Sequence, residues 1–297
     1  MLRVGGLIPY SQNFISDPSL IKRLLKQSDI SVSDIVLDIG AGKGVLTQQL
    51  IPVSKKVIAI EIDPSLFKCL SSKYSSVPNV QLVNNDFLKI SLPHDNFKVF
   101  SNIPFNYTSR IMDKLYFQGN TPTSAYIIMQ REASNIYLGL PRETQKSLLL
   151  KPFFDISILH SFKKTDFVPT PQVDADMIHI KKLVNPYIEI DSIEKYFAFV
   201  VFETTQYKTT LKKSLSKIFT HEQFKRLATS LEFSLKTKPL DLSFKQWVGL
   251  FNYYQHGVLE SKKILVKNSY LKQKATQQNL KKVYRTRKFG NPTPHHL

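Results

Sequence analysis

The segment Asn102-Ile103-Pro104-Phe105 has the residue types needed to act on an exocyclic amine of a nucleobase. Such an amine is a weak nucleophile, because its lone pair is delocalised into the ring. The side-chain oxygen of Asn102 and the backbone carbonyl of Ile103 can accept its two hydrogens, which pushes the nitrogen toward tetrahedral geometry. Pro104 fixes the turn, and Phe105 gives an extruded base a ring face to stack on. An Asn-Pro-type turn that only closes a strand is the alternative interpretation.

A glycine-rich loop, Gly40-Ala41-Gly42-Lys43-Gly44, lies earlier in the chain between a predicted buried strand and a helix. Glycines at such a junction let the backbone turn sharply and approach a ligand closely. Plain tight turns and dinucleotide sites use similar loops, so this loop alone is weak evidence. No Lys-Ser/Thr pair follows its last glycine, which argues against a P-loop for nucleoside triphosphates.

Two acidic residues follow the next two predicted strands. Glu61 comes 17 residues after Gly44, and Asp86 comes after the third strand. A carboxylate at the first position suits the two hydroxyls of a ribose, and one at the second suits the exocyclic amine of adenine. Each acid alone could be a surface residue or a helix cap. Together with the glycine loop, they predict a pocket for an adenosine that carries a small or cationic substituent.

In the sequence, short apolar strands alternate with helices. The candidate site residues lie where these predicted strands end, so the strands position them. The predicted strands cover 34–40, 56–61, 80–84, 97–102 and 124–130, followed by two later strands at 154–162 and 177–183. This alternation predicts an α/β fold with a parallel, doubly wound, Rossmann-like sheet. From about Asp191 the apolar periodicity is helical. We expect an α/β domain over 1–185, a small all-helical domain over 186–257, and a basic tail over 258–297.

The charge of the chain predicts a polyanionic partner. The 297 residues include 41 Lys and Arg against 23 Asp and Glu, a net charge of +18. Residues 258–297 hold ten of the basic residues and one acid. Basic side chains that neutralise phosphates release counterions, whereas general solubility is the alternative explanation. We expect the tail to become ordered on nucleic acid, with a helix between Leu259 and Lys282.

Several classes of protein and site are disfavoured. No run of about 18 apolar residues predicts a membrane span, and no secretory signal is recognised, so we expect a cytoplasmic protein. The single cysteine, Cys69, excludes an intramolecular disulfide framework and a Cys-rich zinc site. His295-His296 has no acid or cysteine at ligand spacing, so no metal is expected. Trp247 is expected in the core of the helical region.

These motifs, together with Ser11-Gln12-Asn13-Phe14, resemble the S-adenosylmethionine-dependent rRNA adenine-N6 methyltransferases. The resemblance continues through 167–174, which is similar to the family's F-x-P-x-P-x-V segment. It reaches 218–220 and 244–252 in the helical region, and so covers about residues 8–256.

The residues of the Asn102–Phe105 segment and of the glycine loop resemble those of the erythromycin-resistance (Erm) branch of this family. That branch usually has N-I-P-F or N-I-P-Y with G-x-G-K-G, whereas the small-subunit dimethyltransferases usually have N-L-P-Y. The resemblance implies mono- or dimethylation of one adenine in the peptidyl-transferase loop of 23S rRNA, with resistance to macrolides, lincosamides and streptogramin B. It also implies a monomer that acts before the ribosome is fully assembled. A 16S-type dimethyltransferase in ribosome biogenesis and a non-catalytic nucleic-acid-binding relative are the alternatives.

The resemblance also implies the roles of individual residues. Phe105 and Phe167 would lie on the two faces of the flipped adenine, and S-adenosyl-L-methionine is the expected cofactor. The expected catalytic residues are Asn102, Ile103, Pro104, Phe105 and Phe167. The expected cofactor-binding residues are Asn13, Ile15, Gly40, Gly42, Glu61, Ile62, Asp86, Phe87 and Asn102. Because Asn135-Ile136 stands where many relatives carry basic residues, phosphate contacts are expected instead at Arg131, Arg142 or Lys146.

Overall fold

The strands of the protein form one large sheet and one short two-stranded pair. A computed structural model describes residues 14–15, 17–206 and 210–279. The strands are β1 (Phe14–Ile15), β2 (Ile35–Ile39), β3 (Lys56–Glu61), β4 (Val80–Asn84), β5 (Phe97–Asn102), β6 (Ser124–Gln130), β7 (Phe154–Phe162), β8 (Phe167–Val168) and β9 (Ala175–Lys182). The large sheet has the order β4-β3-β2-β5-β6-β9-β7, and β1 pairs with β8.

Helices cover the sheet and form a separate layer toward the C-terminus. Those before residue 151 are α1 (Pro18–Lys26), α2 (Val45–Leu50), α3 (Pro64–Tyr74), α4 (Thr108–Phe117), α5 (Arg131–Leu138) and α6 (Gln145–Leu150). Those after residue 190 are α7 (Ile193–Thr204), α8 (Leu211–Ser214), α9 (His221–Ser230), α10 (Phe244–Gly257), α11 (Glu260–Lys263) and α12 (Ser269–Asn279). In the described ranges, no helix is long and apolar enough to cross a bilayer.

The predicted parallel sheet is confirmed for its first five strands only. The neighbours from β4 through β3, β2 and β5 to β6 are all parallel. In contrast, β9 pairs antiparallel with both β6 and β7. The connection from β7 to β9 contains no α-helix. A chain that returns without such a crossover lies antiparallel to the strand it left.

Local sequence signals set the starts of α1 and α3. Helix α1 begins with Pro18 after Asp17, whose carboxylate accepts a hydrogen bond from the Ser19 amide at 2.8 Å. The same pattern recurs at α3, where Asp63 precedes Pro64 and caps the first turn. A carboxylate at this position satisfies amides that have no partner within the helix and interacts favourably with the helix dipole.

The C-terminal helices share a core with the α/β part. Trp247 is completely buried in this core, as predicted, and its indole N–H donates to the Pro239 carbonyl at 3.2 Å. Leu148 and Leu149 of α6 belong to the same cluster. Residues from both sides of position 185 belong to this one cluster. The domain boundary at residue 185 therefore stays a prediction.

The described part of the predicted tail is already folded against the protein. Val258 and Val266 are buried in the core of the C-terminal helices, and Tyr270 packs against it. The predicted helical character of this segment is confirmed by α11 and α12. The expectation that the segment orders only on nucleic acid is wrong for residues 258–279, because their apolar side chains complete a core. Residues 280–297 lie outside the described part of the chain.

Candidate active site

A cavity of about 580 Å³, including its open mouth, lies at the carboxyl ends of β2, β3 and β4. Here the sheet order changes direction between β2 and β5, the position where open α/β sheets bind ligands. The lining residues are Ile39, Gly40, Ile60, Glu61, Ile62, Asn85, Asp86, Phe87, Leu88, Pro104, Tyr107, Arg110 and Ile111.

The glycine loop lines this cavity through Gly40, whereas Gly42 lies behind the lining and contacts Glu61. The backbone of Gly42 has a φ of +56°, and its N–H donates to Glu61 Oε2 at 2.8 Å. A Cβ at this position would lie 2.4 Å from Cε1 of Phe14. Glycine is therefore required both by the left-handed backbone and by the contact with Phe14.

Glu61 connects the glycine loop to the end of β3. Its side chain is 0% exposed, and Oε1 accepts a hydrogen bond from the Asp63 amide at 2.9 Å. With the Gly42 amide on Oε2, both oxygens are held in fixed positions. A carboxylate oxygen accepts more than one hydrogen bond. Glu61 can therefore shape the loop and also receive hydroxyl groups from a ligand.

Asp38 lies behind the loop as a second buried carboxyl group. Its Oδ2 accepts a hydrogen bond from Thr47 Oγ1 at 2.6 Å, while Oδ1 has no partner among the described residues. Burial raises the pKa of Asp38 to about 7; the charge of Glu61 adds to the shift and the Thr47 hydrogen bond opposes it. The carboxyl group of Asp38 therefore titrates near neutral pH.

Asp86 begins a tight turn at the end of β4. Its Oδ1 accepts from the Leu88 amide at 2.9 Å, and its backbone carbonyl accepts from the Lys89 amide at 2.9 Å. Oδ2 accepts no hydrogen bond from the described residues, so it can receive a ligand amine. Phe87 is buried beneath the cavity, whereas Ile62 is exposed at its rim.

The predicted chemistry segment leaves the sheet next to this cavity. The Ile103 amide donates to the Ile128 carbonyl on β6 at 3.3 Å, and the Ile103 side chain is buried. Pro104 lines the cavity, and its carbonyl accepts from the Tyr107 amide at 2.9 Å. Asn102, the last residue of β5, and Phe105 are both half-buried. The sheet and a short turn thus fix the backbone around Asn102 and Ile103.

Phe167 and Ile15 are buried outside the cavity. Phe167 is 1% exposed, its ring centroid lies 5.2 Å from that of Phe162, and it pairs with Ile15 across β1 and β8. Neither side chain lines the cavity, because both belong to an apolar cluster under the sheet. Phe105 packs against the same cluster as Phe167, and the expected sandwich of a base between the two rings stays a prediction. Asn13 lies outside the described residues.

The basic residues expected to contact phosphate already have acidic partners. They form the pairs Arg131 with Asp174 and Asp176, Arg142 with Asp241, and Lys146 with Asp113. Arg131 reaches its two partners at 3.0 and 3.2 Å, and one of them, Asp176, is buried. A carboxylate that neutralises a cation competes with phosphate for it. The expected shift of phosphate contacts to these residues is not supported.

Part of the cavity is formed by residues that the sequence analysis missed. Arg110 and Ile111 come from the first turn of α4, where no helix was predicted, and Tyr107 ends the short turn just before it. The Arg110 guanidinium lies 5.7 Å from the centroid of the Tyr107 ring, at the mouth of the cavity. The spacing of Ile111, Met112 and Leu115, all buried, was the available signal for this helix.

Comparisons with known proteins assign this site to a family. The family model for ribosomal RNA adenine dimethylase matches residues 7–256. The chain belongs to the ribosomal RNA adenine dimethylase family. It is 32% identical over 242 residues to an rRNA adenine N-6-methyltransferase of Bacteroides fragilis, which covers 81% of this chain and 90% of the relative. It is also 33% identical over 210 residues to the ribosomal RNA small subunit methyltransferase A of Thermotoga maritima, covering 69% and 72%.

Solved structures extend the comparison. The crystal structure of the 23S rRNA methyltransferase ErmE matches with a TM-score of 0.76 and 26% identity, covering 82% of this chain and all of that one. A dimethyladenosine transferase of Plasmodium falciparum matches with a TM-score of 0.66 at 19% identity and shows the fold alone. The expected Rossmann-like methyltransferase fold and the resemblance to the erythromycin-resistance branch are confirmed.

As a member of this adenine dimethylase family, the chain is an S-adenosyl-L-methionine-dependent rRNA adenine N6-methyltransferase. The cavity fits the adenosyl part of that cofactor. It combines a buried carboxylate held at the end of β3, a left-handed glycine loop, and Oδ2 of Asp86, which accepts no hydrogen bond from the part of the chain that the structure describes. These are the donor and acceptor types that a ribose and an adenine amine require.

Proposed function

We propose that this enzyme methylates N6 of a single adenine in the peptidyl-transferase loop of 23S rRNA, once or twice. The observation that carries the proposal is the Asn102–Phe105 segment, which is held by β6 and borders the cavity through Pro104. The relative from Bacteroides fragilis and the ErmE structure support the choice of branch. A bulkier N6 that no longer donates would block macrolide, lincosamide and streptogramin B binding, so the product confers resistance.

In this proposal the bound S-adenosyl-L-methionine supplies the methyl group, and the chain binds and orients both reactants. Glu61 holds the ribose hydroxyls and Asp86 holds the adenine amine of the cofactor, while Gly40 and Gly42 let the backbone approach. Asn102 Oδ1 and the Ile103 carbonyl accept the two N6 hydrogens of the target adenine. This orients the nitrogen lone pair toward the methyl donor.

The target base is held by its face as well as by its amine. Phe105 is half-buried at the start of α4 and supplies the stacking face for a base extruded from the RNA. The N6 proton leaves after methyl transfer, when the nitrogen is positively charged, so no general base is required. The half-buried ring of Phe105 thus fixes the plane in which the amine is presented.

We further propose where and on what form of RNA the enzyme acts. The helices over 186–257 form the rRNA-recognition domain, and the enzyme works in the cytoplasm as a monomer on 23S rRNA before the ribosome is fully assembled. The net charge of +18 supports a polyanionic substrate.

A second candidate is a small-subunit dimethyltransferase that acts on 16S rRNA. The 33% identity to the Thermotoga maritima small-subunit enzyme favours it, whereas Ile103, Phe105 and the Gly-Lys-Gly ending of the glycine loop favour the 23S assignment. Methyl transfer by the purified protein to separate 16S and 23S transcripts distinguishes the two. Labelling of 16S alone would overturn the 23S assignment.

Primer extension across 23S rRNA, with an erythromycin susceptibility test, examines the proposal in cells. Expression of the chain should give a strong stop at one adenine of the peptidyl-transferase loop together with resistance. Expression of Asn102→Ala should give neither. An unmodified 23S rRNA and unchanged susceptibility at equal expression would contradict the proposal.

A further inference from the structure

Lys114 is a buried cation whose contacts lie behind the cofactor cavity. It belongs to α4, one turn after Arg110, and only 8% of the residue is exposed. Lysine is rarely buried to this degree without a partner. The contacts of its ammonium group therefore indicate what the residue does.

The ammonium group of Lys114 is directed at the turn that follows β4. Its Nζ donates a hydrogen bond to the Ile90 carbonyl and lies 5.3 Å from the centroid of the Phe87 ring. Burial lowers the pKa of Lys114, and the nearby Asp86 carboxylate opposes that shift. One side chain thus interacts with the turn at its first, second and fifth residues, Asp86, Phe87 and Ile90.

The two elements that Lys114 joins are opposite walls of the cavity. Residues 85–88 form one wall, and Arg110 and Ile111 of α4, with Tyr107 just before the helix, form the other. The width of the cavity at this end therefore depends on how closely the turn lies against α4. Within the turn, Asp86 Oδ1 is held by the Leu88 amide, so the position of the turn also sets the direction of Oδ2.

We propose that Lys114 is a positioning residue for the adenine end of the cofactor. By holding the Ile90 carbonyl and the Phe87 ring against α4, it fixes the turn so that Asp86 Oδ2 faces the adenine amine. The inference rests on the proposed role of Asp86, and it does not depend on which rRNA is the substrate. Lys114 itself touches neither the cofactor nor the target base.

Three variants of the full-length protein test this role. Lys114→Met keeps the apolar stem and removes the ammonium, Lys114→Arg restores a cation, and Lys89→Met removes an exposed charge from the same turn. Binding of S-adenosylhomocysteine is measured by calorimetry without RNA, alongside steady-state kinetics and the melting temperature. A second ligand, the S-adenosylhomocysteine analogue without the adenine N6 amine, reports on Asp86 directly.

We expect Lys114→Met to weaken S-adenosylhomocysteine binding about tenfold, the size of one lost charge-assisted hydrogen bond. The KM for S-adenosyl-L-methionine should rise in parallel, with kcat changed less than about twofold. Lys114→Arg should recover most of the affinity, and Lys89→Met should match the wild type. Removal of the N6 amine should cost the wild type far more affinity than it costs Lys114→Met.

The outcomes separate this inference from the assignment of Asp86. If removing the amine costs both proteins the same large factor, Lys114 does not act through Asp86 and the inference is overturned. If the amine has no effect on the wild type, the role of Asp86 is itself wrong. A fall in melting temperature with equal losses in kcat and in cofactor binding would make Lys114 a purely structural residue and would also overturn the inference.

Discussion

Asn102 is the residue with the largest expected effect on catalysis. Replacing Asn102 with Ala removes one of the two acceptors for the N6 hydrogens, and loss of one such transition-state contact costs about 100- to 1,000-fold in kcat. Cofactor binding should weaken much less, because Glu61 and Asp86 remain in place. Single-turnover methylation and calorimetry measure the two quantities. Asn106→Ala, in the exposed position of the same turn, is the matched control. Equal losses of turnover and cofactor affinity in Asn102→Ala would contradict the role of Asn102 as an acceptor for the N6 hydrogens.

Phe105 should be needed for its ring rather than for its apolar character. Phe105→Leu keeps an apolar side chain but removes the stacking face, which is worth about 1–3 kcal/mol per base. We expect kcat/KM for RNA to fall about 5- to 100-fold in Phe105→Leu and to change less than about threefold in Phe105→Tyr. Cofactor affinity should be the same in both. Equal activity of the Leu and Tyr variants would exclude stacking.

Among single residues, the sequence predicted those site residues that directly follow a strand. It missed residues whose role depends on contacts between distant parts of the chain. Glu61 and Asp86 were identified because the carboxyl ends of parallel strands meet at one edge. The sequence did not show that Phe167 is buried in an apolar cluster, because no local pattern distinguishes an aromatic ring that stacks on a base from one that packs in a core. Lys114 was missed because lysines are mostly on the surface, and only the three-dimensional contact with Ile90 gives it a role.

Among the elements, the contact between α7 and α8 should make stability depend on pH. Glu203 on α7 is 0% exposed and accepts a hydrogen bond from Ser214, and burial raises the pKa of its carboxyl group to about 8. The unfolded chain loses this proton near pH 4.5, the ordinary value. Between these two values the unfolded state binds fewer protons, so stability falls as pH rises and stays low above pH 8.

Glu203→Gln should remove this dependence, because the amide keeps an acceptor for Ser214 and carries no charge. We expect the variant to be more stable than the wild type at pH 8.5, by an amount on the order of a few kcal/mol, and nearly equal to it at pH 4.5. Urea unfolding at several pH values measures this. Glu194→Gln, on the exposed side of α7, is the control. If the free energy of unfolding depends on pH in the same way in the wild type and in Glu203→Gln, Glu203 ionises freely in the folded protein and the prediction is wrong.

The sequence predicted strands better than the short helices that connect them. The bounds 56–61, 80–84, 97–102, 124–130 and 154–162 are confirmed residue for residue. Continuous apolar runs identify strands that are buried on both faces. Helices α4, α5 and α6 were not predicted, although the apolar spacing in α4 was a usable signal.

Over the whole molecule, the segment after residue 257 connects the C-terminal helices to the α/β part. Tyr270 of α12 packs against Phe197 of α7, with the ring centroids 5.1 Å apart, and Lys274 donates to the Phe117 carbonyl at the end of α4. Lys262 donates to the Ile218 carbonyl, and Lys263 to the Gln255 carbonyl. These three lysines therefore stabilise the fold, which net charge alone cannot reveal, and they are less available to RNA than the composition suggested.

Two truncations should separate the structural and the electrostatic contributions of the C-terminal segment. Deleting 280–297 removes five basic residues and no acid, so it should weaken RNA binding. The slope of log affinity against log salt should become shallower by up to about 4, because each phosphate contact contributes about 0.7–0.9. Deleting 258–297 should also lower the melting temperature, since it exposes the core that Val266 covers. RNA titrations at several salt concentrations measure the RNA affinity, and thermal unfolding measures the melting temperature. If the shorter deletion leaves the slope of log affinity against log salt unchanged, the last 18 residues do not contact RNA.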